Sequence, residues 1–309
     1  MIKLGVIGIG HIFQKQIEVL NHFTDKYQLI AICDSNQDRL ESCGLHNIPK
    51  YTNYKDMISN KNIDSILIST PPSTHYQIAK DALISHKNVL LEKPAVLEIE
   101  QLTELYNIAE EYNSLLHIAF HASFAKDLQW FLSNQSTLFP HQIKKITCSF
   151  YDPYMTDGVI QKERIPLGGC YIDSGVNALS VCQKLVSLKD FHLAERIERR
   201  DINNVTYEAK YLFGSGECDI IINTAWNKGL NLKKTVIKFK DMSDIVELNH
   251  SQQEVILITN NERKTLFSFK DTERLFTHYC GVFNDFFNAV ETGTVNKFAY
   301  DIHRLLLLN

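Results

Sequence analysis

The first 120 residues alternate two kinds of pattern, and this alternation limits the possible folds more than any other feature of the chain. Short, nearly continuous apolar runs at 4–9, 29–33, 63–68, 89–91 and 115–119 have the length of strands. Because these runs carry no alternating polar face, they fit strands buried on both sides. Between them, Phe13, Ile17 and Leu20 recur at i, i+4, i+7, and Ile99, Leu102, Tyr106 and Ala109 at i, i+3, i+7, i+10, which is the spacing of a helix with one apolar stripe. Strands alternating with helices predict an α/β unit built on a parallel, doubly wound sheet.

After residue 120 the rhythm changes. Long strand-like runs at 143–150, 205–213, 218–226, 234–239 and 265–269 follow one another through turns such as Gly214-Ser215-Gly216, so this half predicts a large, mostly antiparallel sheet. A helical stretch lies at about 170–188, and Leu275, Tyr279, Phe283, Phe286 and Val290 mark a later helix ending near Gly293. For 309 residues, two domains are expected, 1–121 and 122–309. The sequence has no long linker, and the cleft between two such domains is the default place for chemistry.

Composition removes several function classes. Lys plus Arg number 32 against 36 Asp plus Glu, a net charge of −4, which argues against a nucleic-acid partner. The apolar runs fall far short of the ~20 residues that cross a bilayer, so no membrane span is expected. Seven cysteines, an odd number with no CxxC pair, suit reduced thiols and a cytoplasmic setting. His117 and His121 lie on an expected strand and at its end with no acidic third ligand nearby, so no metal site is expected.

The first turn carries the strongest chemical signal. Gly8-Ile9-Gly10 follows a strand and precedes a helix, the setting in which glycines let backbone amides approach a pyrophosphate at a helix N-terminus. Phe13 stands where the motif has Gly or Ala. The second strand ends in Asp34, 24 residues past Gly10, where a carboxylate can accept from a ribose hydroxyl and repel a 2′-phosphate. NAD is therefore expected over NADP, with Ser35 and Arg39 able to soften the choice and NADP still possible. Asp34 also reads as an N-cap for a helix starting near Asn36. Two further segments, Ser69-Thr70-Pro71-Pro72-Ser73-Thr74-His75 and Glu92-Lys93-Pro94, follow expected strands and belong at the crevice of such a sheet.

In this order and spacing the four motifs resemble the Gfo/Idh/MocA family of nicotinamide-dependent sugar and polyol oxidoreductases. The resemblance extends to Gly168-Gly169-Cys170-Tyr171-Ile172-Asp173-Ser174-Gly175-Val176-Asn177 and to the late stretch from Phe286 to Gly293. It implies a Rossmann domain followed by an α/β domain whose open sheet face makes a homodimer or a dimer of dimers. It also implies that Gly8, Gly10, His11 and Ile12 lie by the pyrophosphate, Asp34 with Ser35 and Arg39 by the adenosine ribose, and Thr70, Pro71, His75, Glu92 and Lys93 along the nicotinamide side. Lys93 and Asp173 would be catalytic. Asn177 stands where the family usually has histidine, and an amide does not titrate as a general base.

The stretch from Asp173 to Ser180 is similar to the aldose branch of the family, the galactose and arabinose 1-dehydrogenases, in which Asn is the normal residue. By that resemblance Lys93, His121, Tyr151, Asp152, Asp173, Asn177 and Trp226 would contact a sugar, and the reaction would oxidise its anomeric carbon to a lactone. The alternatives are a cyclitol or keto-sugar enzyme of the same family and a non-catalytic dinucleotide-binding sensor.

Overall fold

Burial on both faces sorts the apolar runs of the first half into one parallel sheet. In the computed structural model, which describes residues 1–260, 262–294 and 297–308, the chain divides into two units. Met1–Ala119 with Tyr279–Tyr300 form one, and Phe120–His278 with Asp301–Asn309 form the other. The first unit runs β1 (Ile2–Ile7), α1 (Phe13–Leu20), β2 (Tyr27–Cys33), α2 (Gln37–Ser42), β3 (Lys50–Tyr51), α3 (Tyr54–Ile58), β4 (Ser65–Ile68), α4 (Pro72–Ile84), β5 (Asn88–Glu92), α5 (Ile99–Glu111) and β6 (Leu116–Ala119). The sheet order is β3-β2-β1-β4-β5-β6, with every pair parallel. The order reverses between β1 and β4, and in open α/β sheets ligands bind at the carboxyl ends of strands at such a switch point.

In the second unit, α6 (Lys126–Leu138), β7 (Ile143–Tyr151), the small hairpin β8 (Met155–Thr156) and β9 (Val159–Ile160), and α7 (Cys170–Leu185) come first. Then follow β10 (His192–Arg200), β11 (Thr206–Gly214), β12 (Asp219–Ala225), β13 (Leu232–Phe239), β14 (Ile245–Asn249), β15 (Glu254–Thr259) and β16 (Glu262–Ser268). Eight strands order as β10-β11-β12-β7-β13-β14-β15-β16, antiparallel throughout except for the β7 and β12 pair. Both helices cover one face. Cys148 of β7 meets Cys182 of α7 at 3.6 Å, and Trp130 of α6 stacks on Phe267 of β16 at 5.6 Å between centroids.

The last helices are α8 (Arg274–Thr292) and α9 (Ala299–Leu307). From Tyr279 onward α8 counts with the first unit, where Phe287 stacks on Tyr27 at 5.9 Å and Phe286 lies 6.0 Å from His117. A boundary at 121/122 leaves out this return, because the aromatic stripe on the late helix completes the first unit's apolar packing. No helix among the described residues is long and apolar enough to cross a membrane.

Candidate functional site

The turn after β1 is shaped by two glycines with different tasks. Gly8 has φ +90°, and a Cβ there would come within 2.7 Å of the Ser69 backbone, so the loop after β1 presses directly on the loop after β4. Gly10 is the opposite case: a Cβ there would meet nothing within 4 Å. Space is thus left at the start of α1, whose first turn holds no acidic residue to neutralise the helix dipole. His11 is exposed and Ile12 half-buried on the same turn, while Phe13 is buried beneath it.

Asp34, 7% exposed, closes this turn against β2. Its Oδ2 accepts the Ile9 N–H at 3.0 Å and its Oδ1 the Asn36 N–H at 2.9 Å. A carboxylate offers about four lone-pair sites, so two remain for a ribose diol. The N-cap of α2 is Asn36, whose side chain accepts from the Arg39 N–H, and not Asp34 as the sequence allowed. Ser35 is exposed. Arg39 reaches within 3.7 Å of Asp34 Oδ2 but is itself largely exposed, so the pair is weak.

Two of the expected cofactor contacts hold loops of the first unit in place. The ring nitrogens of buried His75 lie 2.8 Å from the Pro94 carbonyl oxygen and 2.7 Å from that of Thr70. They join the loop after β4, with half-buried Thr70 and exposed Pro71, to the Lys93-Pro94 turn. Burial is the main cause that pushes the His75 pKa down. Glu92 Oε1 accepts from Gln16 Nε2 at 2.8 Å and from the Tyr279 hydroxyl at 2.6 Å, and Oε2 accepts the Lys93 N–H at 3.1 Å. Ser69 Oγ in turn donates to Gln16 Oε1 at 2.9 Å. Burial raises the Glu92 pKa, with the Tyr279 bond and the Lys93 charge opposing. Both side chains hydrogen-bond inside the first unit and hold the turn that carries Lys93.

In the second unit Asp173 and Asn177 sit in the first two turns of α7, each 7% exposed. Asn177 Oδ1 is buried with no hydrogen-bond partner among the described residues. A buried acceptor left without a donor costs ~1–3 kcal/mol. Asp152, expected at the sugar, is already engaged: Ser174 Oγ donates to its Oδ2 at 2.9 Å and Lys233 Nζ stands 2.7 Å from its Oδ1. Lys233 also donates to the carbonyl oxygen of half-buried Tyr151 at 2.5 Å.

Trp226, expected as a sugar platform, is 0% exposed and packs edge-on against Tyr154 at 5.6 Å. Its faces are closed to a ligand. His121 stacks on His278, with their Nδ1 atoms 3.3 Å apart. His278 is buried, and burial first, then the charges of His121, Arg274 and His250, hold its pKa well below the usual range. His117 meets Asp285 at 3.4 Å in the first unit. Gln16, Ser174, Lys233, His278 and the Tyr279 hydroxyl were not singled out from sequence. Gln16 had a signal, a polar residue three after Phe13 on the apolar stripe of α1.

A family model described as an oxidoreductase family with an NAD-binding Rossmann fold matches residues 2–120. An uncharacterized oxidoreductase, sll0816 of Synechocystis sp., is 31% identical over 112 residues, 36% of this chain and 30% of that protein. The first curated relatives are covered over only 30–38% of their own length. In overall fold the chain is similar to KijD10, a 3-ketoreductase from Actinomadura kijaniata in complex with NADP and TDP-benzene. The TM-score is 0.85 at 18% identity, covering 99% of this chain and 95% of that one. It is also similar to GenD2 from gentamicin A biosynthesis in complex with NAD, with a TM-score of 0.83 at 16% identity, covering 99% and 92%.

Proposed function

Residues 2–120 belong to the Gfo/Idh/MocA oxidoreductase family, and from that premise we propose that the chain is an NAD(P)-dependent enzyme interconverting a carbinol and a carbonyl of a sugar. The observation that carries this reading is the fit of the first unit to a dinucleotide. Gly10 leaves room at an unneutralised helix N-terminus, and Asp34 keeps lone pairs spare beside it. The negative charge of Asp34 favours NAD over its 2′-phosphorylated form.

When bound, the nicotinamide supplies the hydride acceptor or donor. The chain's own residues handle position and protons. Lys93 takes the proton from the reacting hydroxyl, with Asp173 as its partner, and Asn177 contributes an acceptor and a donor without charge. His75 and Glu92 fix the turn from which Lys93 projects.

The finer reading, oxidation of an aldose C1 hydroxyl to a lactone, draws support from the stretch Asp173 to Ser180. A second reading, reduction of a ring ketone, is favoured by the burial of Trp226, which takes away the platform that the aldose reading used. KijD10 being a 3-ketoreductase agrees with it. A homodimer or dimer of dimers is proposed through the sheet face opposite α6 and α7, where Leu212, Ile221, Thr147 and Val236 form one cross-strand row. Absorbance of the reduced nicotinamide across a panel of aldoses, cyclitols and keto-sugars tests the reading, and NMR of the product tells a lactone from a ring ketone. Dinucleotide binding without turnover of any of them would favour a sensor.

A further inference from the structure

Lys233 buries an ammonium group on β13, on the face of the sheet that the helices cover. Its Nζ stands 2.7 Å from Asp152 Oδ1, donates to the Tyr151 carbonyl oxygen at 2.5 Å and lies 6.0 Å from the Phe150 ring centroid. Its backbone is held as well: the N–H donates to Ser251 Oγ at 2.7 Å, and the carbonyl oxygen accepts the Ser251 N–H at 3.2 Å. The charge is therefore fixed from both ends. Taking two ions out of water is costly, and a buried pair adds little stability over apolar residues of the same volume. Stability alone is a poor reason for this pair.

Asp152 carries the constraint on to α7. Its backbone N–H donates to the Ala225 carbonyl oxygen at 2.9 Å, and its Oδ2 accepts the Ser174 hydroxyl at 2.9 Å. Serine inside a helix commonly bonds back to its own helix, whereas Ser174 reaches across to the residue that follows β7. The start of α7 is held too: a Cβ on Gly169 would come within 2.9 Å of the Thr206 carbonyl oxygen, so the helix begins hard against β11. Gly169 thus fixes where α7 begins, and Ser174 fixes its rotation about its own axis. At about 100° per residue, Asp173 and Asn177 share a stripe about 40° wide, with Ser174 about 100° around the helix from Asp173. A rotation released at Ser174 moves both.

We propose that Lys233, Asp152 and Ser174 form a chain that positions Asp173 and Asn177 for the reaction. The proposal rests on the sugar-oxidoreductase reading and adds three positioning residues to it. Asp152, with each carboxylate oxygen engaged, works through α7 rather than on the sugar. Misplacing reacting groups by about 1 Å can cost ~10²-fold in rate, so a chain of this kind has kinetic weight.

Steady-state kcat and KM for galactose and myo-inositol with NAD, and for 3-ketoglucose with reduced NAD, test it alongside amide hydrogen exchange. The proteins are the unaltered chain, Ser174→Ala, Ser174→Thr and the double variant Lys233→Met with Asp152→Asn, which removes both charges together. Alanine is the best helix former, so Ser174→Ala should fold. Its kcat should fall about 10- to 100-fold with KM changed less than about threefold, because misplaced groups weaken the transition state more than the ground state. The amides of residues 173–177 should exchange faster. Ser174→Thr keeps the hydroxyl and should recover most of the rate, and the double variant should lose rate as Ser174→Ala does. Unaltered kcat in either Ser174→Ala or the double variant, no recovery in Ser174→Thr, or a loss of kcat without faster exchange in α7 overturns the proposal. If a protein that binds NAD turns over none of the three, the oxidoreductase reading fails and the positioning role with it, while exchange in Ser174→Ala still decides whether the hydroxyl holds α7.

Discussion

The Tyr279 hydroxyl donates to Glu92 Oε1 at 2.6 Å, and Gln16 donates to the same oxygen at 2.8 Å, so neutral donors from α8 and α1 hold a buried carboxyl at the end of β5. The adjoining residue is Lys93, whose N–H caps the other oxygen. This network fixes the turn that carries the proposed acid/base group.

Because burial raises the Glu92 pKa in the fold, its contribution to stability has a definite sign. It is fully present below the unfolded value of about 4.3 and is lost as pH rises through the higher folded value. Glu92→Gln removes that titration. The melting temperature of the variant minus that of the unaltered protein should therefore climb as pH increases from about 4 to 8. A difference that stays flat with pH would mean that Glu92 titrates alike in both states. Tyr279→Phe should destabilise by ~1–3 kcal/mol by leaving the carboxyl short of a donor.

The two glycines of the first turn should respond differently to the same change. Gly8→Ala puts a methyl group within 2.7 Å of the Ser69 backbone at φ +90° and should cost about 2–3 kcal/mol or prevent folding. Gly10→Ala meets nothing in the protein and should melt normally, yet bind NAD more weakly because the methyl group fills the space left for the pyrophosphate. Thermal melts and NAD titrations on both variants check this. Normal NAD affinity in Gly10→Ala would move the pyrophosphate elsewhere.

Cofactor choice depends on Asp34. NAD should bind more tightly than NADP to the unaltered protein, and Asp34→Ala should narrow the gap by removing the charge that repels a 2′-phosphate. Arg39, 57% exposed at its side chain and 3.7 Å from Asp34, is a cation placed to meet that phosphate, so Arg39→Ala should weaken NADP more than NAD. Calorimetry with both dinucleotides gives the order directly.

The residues that were legible in the sequence are those whose role is set by their place on a strand. Asp34 ends an apolar run, and the end of β2 places it beside the turn after β1. His75 and Glu92 stand out as motif members, but each has a partner far along the chain, Pro94 at 19 residues and Tyr279 at 187, and a motif does not say which way a side chain turns. Trp226 also reads as core when the resemblance is set aside, and in the structure it is buried in step with Ile220, Ile222 and Thr224 at every second position, a period that the run Ile220-Ile221-Ile222 hides in the sequence. The edge strand β10, with sequence HLAERIERR and mostly exposed, showed no hydrophobic pattern to read. Lys233, buried on the covered face of β13 with Asp152 as partner, becomes intelligible only once β7 and β13 pair.

A nicotinamide-linked sugar oxidoreductase that uses Lys93 as acid/base is tested most directly by single-turnover hydride transfer. The measurement follows reduced-nicotinamide absorbance in the unaltered protein and in Lys93→Met, with the sugar that the panel identifies. Transfer is expected in the unaltered protein, with a loss of ~10²–10⁴-fold in Lys93→Met and NAD affinity preserved. Near-normal transfer by Lys93→Met, or no transfer from any sugar by an unaltered protein that binds NAD, would contradict it.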